Sequence, residues 1–232
     1  MTKAAILIDG GYFLKRLPVV RPDVEATNAK AVAESVGQLV NSHLRQLNEI
    51  QQAPNPLSLL YRSFYYDARP YEQKEHTAVG HLAIDYSKTE QAIFRKELFE
   101  ALRRRPSLAL RLGEVRRHRD RAWILKPEPQ RRLLRGELTF DDVSDEDFTP
   151  ALRQKGVDMR IGLDIATITL KRQAQIIVLV SGDSDFVPAA KLARREGMQF
   201  VLDPLWQDVS RDLHEHIDGL RSGFPRPRPP VR

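Results

Sequence analysis

The sequence predicts an α/β fold, a central parallel sheet with helices on both faces. Three observations carry this. Ala4–Ile8 and Ile176–Val180 are short, wholly apolar runs, as strands buried on both faces are. Between such runs, apolar residues recur at helical spacing. Strands and helices then alternate along the 232 residues, the pattern of a sheet built from crossover units.

The elements follow in order. Ala4–Ile8 is bounded by Asp9-Gly10-Gly11, which is either part of a site or an ordinary strand-end turn. Val32, Val36, Leu39, Val40, Leu47 and Ile50 place an amphipathic helix over Thr27–Gln51, closed by Pro54 and Pro56. Leu57–Tyr66 is rich in Leu, Tyr and Phe and reads as a strand ending at Asp67. Ser87-Lys88-Thr89-Glu90 has capping-box spacing, so a helix should run to about Arg104. Leu108–Val115 and Arg121–Leu125 read as strands that could form a hairpin. Asp158–Arg172 reads as a helix, Ile176–Val180 as a strand, and Val187–Arg195 as a helix closed by Gly197. Met198–Leu202 is a last strand and Val209–Leu220 a last helix.

Composition narrows the function. The chain has no cysteine, which excludes a disulfide scaffold, a zinc–thiolate site and a thiol nucleophile. No apolar run is long enough to span a membrane, and no secretion signal is visible, so a cytoplasmic protein is expected. The net charge is +6, with 37 basic side chains that are mostly arginine. Arginine forks onto phosphate and stacks on bases, so the balance leans towards nucleic acid. The charge is uneven. Arg103–Arg135 carries +9, so the rest of the chain carries −3. Glu137–Asp147 holds six acids and no base. It reads as a flexible linker, the alternative being a loop folded back on the basic stretch. Arg221–Arg232, with four Arg and four Pro, reads as a disordered tail.

Sites in such sheets form beyond the carboxyl ends of the strands, where strand order reverses. Asp9 follows the first strand, and Asp183 and Asp185 follow Ile176–Val180. If those strands are neighbours, three carboxylates share one crevice beside Gly10, Gly11, Ser181, Gly182 and Ser184. Clustered acids need a cation or a proton, and hard oxygen ligands suit Mg²⁺ or Mn²⁺. Asp185 could instead cap the following helix. Asp158 and Asp164, six positions apart on one helix, do not share a face. Lys155 either pairs with a carboxylate or holds a phosphate. His214 and His216 point apart on a helix, which argues against a metal pair.

Ile8-Asp9-Gly10-Gly11-Tyr12-Phe13, Lys155-Gly156-Val157-Asp158 with Asp164, and Ser181-Gly182-Asp183-Ser184-Asp185-Phe186 with Pro188 resemble the NYN domain. This is the LabA-like branch of the PIN-like nuclease superfamily. Phe64-Tyr65-Tyr66-Asp67 resembles that family's second strand. The likeness covers about residues 3–220 and is weakest across 103–150. It implies one three-layer α/β/α domain over 1–220, with a basic then acidic insertion at 103–150. It also implies a metal-dependent ribonuclease. On that likeness Asp9, Asp158, Asp183 and Asp185 are catalytic. They bind Mg²⁺ or Mn²⁺, with Asp158 or Asp164 completing the set. Many relatives carry Asn three residues after the first Asp, where this chain has Tyr12, so metal or substrate should be held differently there.

The expected partner is single-stranded RNA. Lys155, Ser181, Arg103, Arg104, Arg105, Arg116 and Arg117 would contact it, giving salt-sensitive, largely sequence-blind binding. Tyr65, Tyr66, Trp123 and Trp206 either stack bases or fill the core. Two rivals stand beside this reading. One is a non-catalytic RNA-binding or regulatory module on the same fold. The other is a haloacid-dehalogenase-like phosphatase, which needs an acid where Gly11 stands. A dinucleotide-binding protein is disfavoured because no G-x-G-x-x-G follows Ala4–Ile8.

Overall fold

The computed structural model describes residues 2–119 and 122–227. Arg121, where one strand was expected to start, and residues 228–232 of the expected tail lie outside the described residues. In chain order the elements are β1 (Ala4–Asp9), α1 (Gly10–Val20), α2 (Ala29–Gln51), β2 (Leu60–Arg69), β3 (Lys74–His76), β4 (Ala83–Asp85), α3 (Glu90–Arg103) and β5 (Leu108–Arg117). Then come β6 (Trp123–Leu125), α4 (Pro127–Leu134), β7 (Phe148–Pro150), β8 (Leu152–Lys155), α5 (Val157–Leu170), β9 (Ile176–Val180), α6 (Val187–Arg195), β10 (Gln199–Asp203), α7 (Arg211–Glu215) and β11 (Gly219–Leu220). The chain divides into two compact units. The first is Met1–Asp67, Glu97–Gly113 and Gly156–Arg232, and the second is Ala68–Lys96 and Glu114–Lys155.

The first unit is the α/β body. Its strand order is β11-β10-β9-β1-β2-β5, and β1 pairs in parallel with both β9 and β2. Strand order reverses at β1: the chain leaves it towards β2, whereas β9 leads the other way to β10. Right-handed crossovers therefore put α1 and α2 on one face and α6 on the opposite face. Burial on both faces explains the unbroken apolar runs, since Ala4–Ile8 and Ile176–Val180 are all essentially inaccessible. Asn28 starts α2 by accepting from Lys30 N and Ala31 N at 3.1 Å, and Gln52 ends it in the left-handed region. Ile50, expected on the buried stripe, is exposed in the last turn.

Three expectations for this unit are corrected. The segment after Asp9 is not a free turn but the start of α1. The last helix is only Arg211–Glu215, and Gly219–Leu220 is an edge strand on β10. Residues 221–227 are not loose: Phe224 is buried, and Ser222 and Gly223 bond to Asp203. Burial of one aromatic ring and saturation of one carboxylate outweigh the Pro/Arg composition there.

In the second unit, the later half of β5 pairs antiparallel with β8, β6 with β7, and β3 with β4. The expected hairpin between the β5 and β6 segments is therefore replaced by two separate pairings. The acidic stretch is not a linker. Asp142 and Asp147 close capping boxes with Thr139 and Ser144, and Asp145 accepts from Val79 N and Gly80 N. Lys126 bonds the Glu146 carbonyl at 2.5 Å, so this stretch folds back on the basic one. Among the described residues no helix is long and apolar enough to cross a membrane.

Candidate active site

The site begins with two neighbouring strand ends. The register Ile8↔Val180 and Asp9↔Tyr66 brings Asp9 beside Ser181 on one side and β2 on the other. Asp9 ends β1 and caps α1, its Oδ1 accepting from Tyr12 N at 3.1 Å. Its Oδ2 accepts a long bond of 3.4 Å from the Ser181 hydroxyl. Gly10 is required by this packing. A Cβ there would stand 2.5 Å from the Tyr66 carbonyl and 2.6 Å from the Tyr65 ring.

Burial raises the Asp9 pKa to about 6, against the Tyr12 amide and Ser181 hydroxyl that lower it, and Asp158 and Asp67 raise it further. Asp158, in the first turn of α5, is also raised, by burial and then by Asp183 and Asp185. Asp183, an exposed residue, caps the turn Ser184–Phe186 through a 3.0 Å bond from Asp185 N. The cap role weighed for Asp185 is thus taken by Asp183, and α6 has no side-chain cap. Asp158 therefore links the two strand ends, its charge felt by Asp9 and its own carboxylate feeling Asp183 and Asp185. Asp164 is placed otherwise: its Oδ2 accepts from the Tyr66 hydroxyl at 2.8 Å and Arg111 Nε at 3.1 Å.

The donor set is hard oxygen, and burial and like charge both disfavour the ionised forms of Asp9 and Asp158. In charge and chemistry it fits Mg²⁺ or Mn²⁺. Among the described residues no three acidic or histidine side chains are already gathered to hold an ion.

Sequence reasoning overlooked one contributor, Asp67, and marked Tyr12 only as a departure from the family pattern. Asp67, within β2 and fully buried, adds to the negative field on Asp9. Its signal was the one that marked Asp9, an acid closing an apolar run. Tyr12 forms one wall. Its ring lies against Gly182, where a Cβ would come within 2.9 Å, and its hydroxyl donates to the Pro204 carbonyl at 2.5 Å.

The expected RNA contacts are dispersed. Arg103, Arg104 and Arg105 do not reach the carboxylates. Arg105 lies against Gly37 beside Leu57 and Leu60, at the start of β2, whereas Asp9 stands at the other end of the strands. Arg103 pairs with Glu100. In the second unit, Arg116 pairs with Glu114, Arg117 with Glu75, and Lys155 stands opposite Glu114. Tyr65 and Tyr66 are fully buried and belong to the core. Trp123 is half-buried, and Trp206 is 43% exposed.

No curated protein matches the chain significantly. Among solved structures it is similar to a Vibrio parahaemolyticus RIMD 2210633 protein of unknown function, VPA0982, at 13% identity. That likeness covers 96% of this chain and 95% of the other, with a TM-score of 0.45. Two sirtuin structures follow. One, described as the structural basis for sirtuin substrate affinity, has 7% identity over 94% and 86% of the chains and a TM-score of 0.33. A Sir2–p53 peptide–NAD+ complex has 10% identity over the same shares and a TM-score of 0.31. Residues 137–216, which hold Asp158, Asp183 and Asp185, match the NYN domain family, and this match supports an NYN domain in the chain.

Proposed function

We propose that the first unit carries a metal-dependent ribonuclease site, in which Asp9, Asp158, Asp183 and Asp185 hold Mg²⁺ or Mn²⁺. NYN domains are generally nucleases, and the family match supports an enzyme of that kind. The observation that carries the reading is that Asp158, at the start of α5, repels Asp9 at the end of β1 and is itself repelled by Asp183 and Asp185 beyond the end of β9. When bound, the ion acidifies water and stabilises charge on the phosphoryl oxygens. The chain's own residues do the rest. Tyr12 N holds Asp9 in place, and Ser181 presents its hydroxyl beside Asp9. Gly182 has no side chain, which lets the Tyr12 ring pack against the backbone there. Asp164 braces Tyr66 and Arg111, which leaves Asp158 as the ligand from α5. Lys155, Arg116 and Arg117 are proposed as contacts to the RNA backbone.

Labelled single-stranded RNA incubated with Mn²⁺ or Mg²⁺ tests this. Wild type should cleave, and Asp9→Asn and Asp183→Asn should not. Equal cleavage by all three would sink the assignment. A second reading, a non-catalytic RNA-binding module, is favoured by one observation: no three ligands are gathered among the described residues. Thermal shift separates the two. At a hundredfold excess over Kd, Mn²⁺ should stabilise the nuclease by about 2.7 kcal/mol. Asp158→Asn should abolish that shift, and no shift in wild type favours the module.

A further inference from the structure

The segment after β10 holds an aromatic ring outward. Leu205 and Trp206 both lie in the left-handed region, at φ 45° and 62°, where side-chain-bearing residues are disfavoured. Such conformations persist only when the surroundings over-determine them, and they cluster at functional sites. Here the surroundings do so. Leu205 N donates to buried Asp203 at 2.8 Å, and the Leu205 carbonyl accepts from Arg16 at 2.8 Å. The Leu205 side chain is fully buried. The Trp206 indole N–H donates to the Phe224 carbonyl at 2.8 Å. The result is an indole fixed along one edge and 43% exposed, a large apolar ring kept in water by a constrained loop. The Arg226 guanidinium stands over its face, 5.8 Å from the centroid. Through Pro204, the same loop accepts the hydroxyl of Tyr12, whose amide holds Asp9.

We propose that Trp206 is a stacking platform for a nucleobase of single-stranded RNA, which takes the face that Arg226 leaves open, while that guanidinium meets a backbone phosphate. The assignment rests on the ribonuclease reading and names where that site grips its substrate. Aromatic stacking tolerates any base, because every base has a π-face. A ring already fixed by its N–H loses little rotational freedom when a base lands on it.

The chain has two tryptophans, so Trp123→Phe leaves Trp206 as the sole indole reporter. This protein, with EDTA present to prevent cleavage, is titrated with a uridine decamer and with an abasic ribose-phosphate decamer. Anisotropy of the labelled oligonucleotide reports binding, and indole fluorescence reports stacking. The uridine decamer should quench Trp206, and the abasic one should not. Trp206→Ala should weaken uridine-decamer binding about tenfold or more, within the range measured for base–aromatic stacking. Trp206→Phe, which also loses the bond to Phe224 but keeps a ring, should retain most of it. Binding without quenching, or Trp206→Phe as weak as Trp206→Ala, would overturn the platform and leave the ribonuclease reading standing. Failure of wild type to bind either oligonucleotide would overturn the RNA reading, and the platform with it.

Discussion

Asp9 meets two opposed demands. As the cap of α1 it is favoured as an anion, because it faces free amides at the helix start. As a buried carboxylate near Asp158 and Asp67 it is disfavoured, and the second demand wins, with its pKa raised to about 6. The sign for stability follows. Below about pH 4 the group is protonated in both folded and unfolded chains and costs nothing. Between there and about pH 6 the folded state binds more protons, so stability falls as pH rises. Above about pH 6 the full cost stays, at most about 3 kcal/mol. Asparagine keeps the cap acceptor without the charge. In EDTA, Asp9→Asn should therefore melt higher than wild type at pH 7–8, with the gap closing by pH 4. A gap independent of pH would refute this. Gly10 gives a sharper steric case. A Cβ at that position meets the Tyr66 carbonyl and the Tyr65 ring, neither of which can swing away. Gly10→Ala should cost about 1–3 kcal/mol, read as a lower urea midpoint.

At the scale of elements, capping and burial decide where helices begin and end. α2 starts where the Asn28 side chain takes two amide hydrogens, not at Thr27 where the apolar pattern begins. Asn28→Ala should cost about 1 kcal/mol, a fall in melting temperature of about 2–4 °C, and Asn28→Asp should restore most of it. α3 likewise starts after Thr89, whose hydroxyl accepts from Ala92 N at 3.3 Å, and not at Ser87. Asp85 claims Ser87 instead, accepting both its amide and its hydroxyl. The Thr89 hydroxyl also donates to the Tyr86 carbonyl at 2.8 Å, so it ties the turn before α3 to the helix start.

At the scale of the whole chain, one buried carboxylate gathers distant segments. Asp203, fully buried at the end of β10, accepts from His43 on α2 at 2.8 Å, Ser222 at 2.7 Å, Gly223 at 2.9 Å and Leu205 at 2.8 Å. Gly223 fits because a Cβ there would stand 2.6 Å from Leu39 and 2.9 Å from His43. Ending the chain after Leu220 would strip two donors from a buried carboxylate and leave a gap where Phe224 sits. The loss should be about 1–3 kcal/mol from the unpaired acceptor alone. Gly223→Val should lower the urea midpoint in the same direction. If both variants match wild type, the C-terminal segment contributes nothing to stability.

By itself the sequence determined the α/β class, the central strands and the acids that end them. Each is a local property. A strand buried on both faces must be apolar along its length, and an acid marks where such a run ends. The pairing of the β1 and β9 ends was a condition the sequence could state, and strand order met it. Only tertiary structure decided which charges serve the candidate site. Asp158 and Asp164 share one helix, yet one faces like charges and the other an arginine and a tyrosine hydroxyl. Arg103–Arg105 stood out by density, but Arg105 lies at the start of β2, away from Asp9, and Arg103 pairs with Glu100. Composition misjudged Glu137–Asp147 and Arg221–Pro227 for the same reason: polarity predicts solvation only when no partner is brought near. Those partners, the amides of Val79 and Gly80 and the Asp203 carboxylate, are distant in sequence. Proximity across the chain is a property of the folded backbone, and no local pattern encodes it.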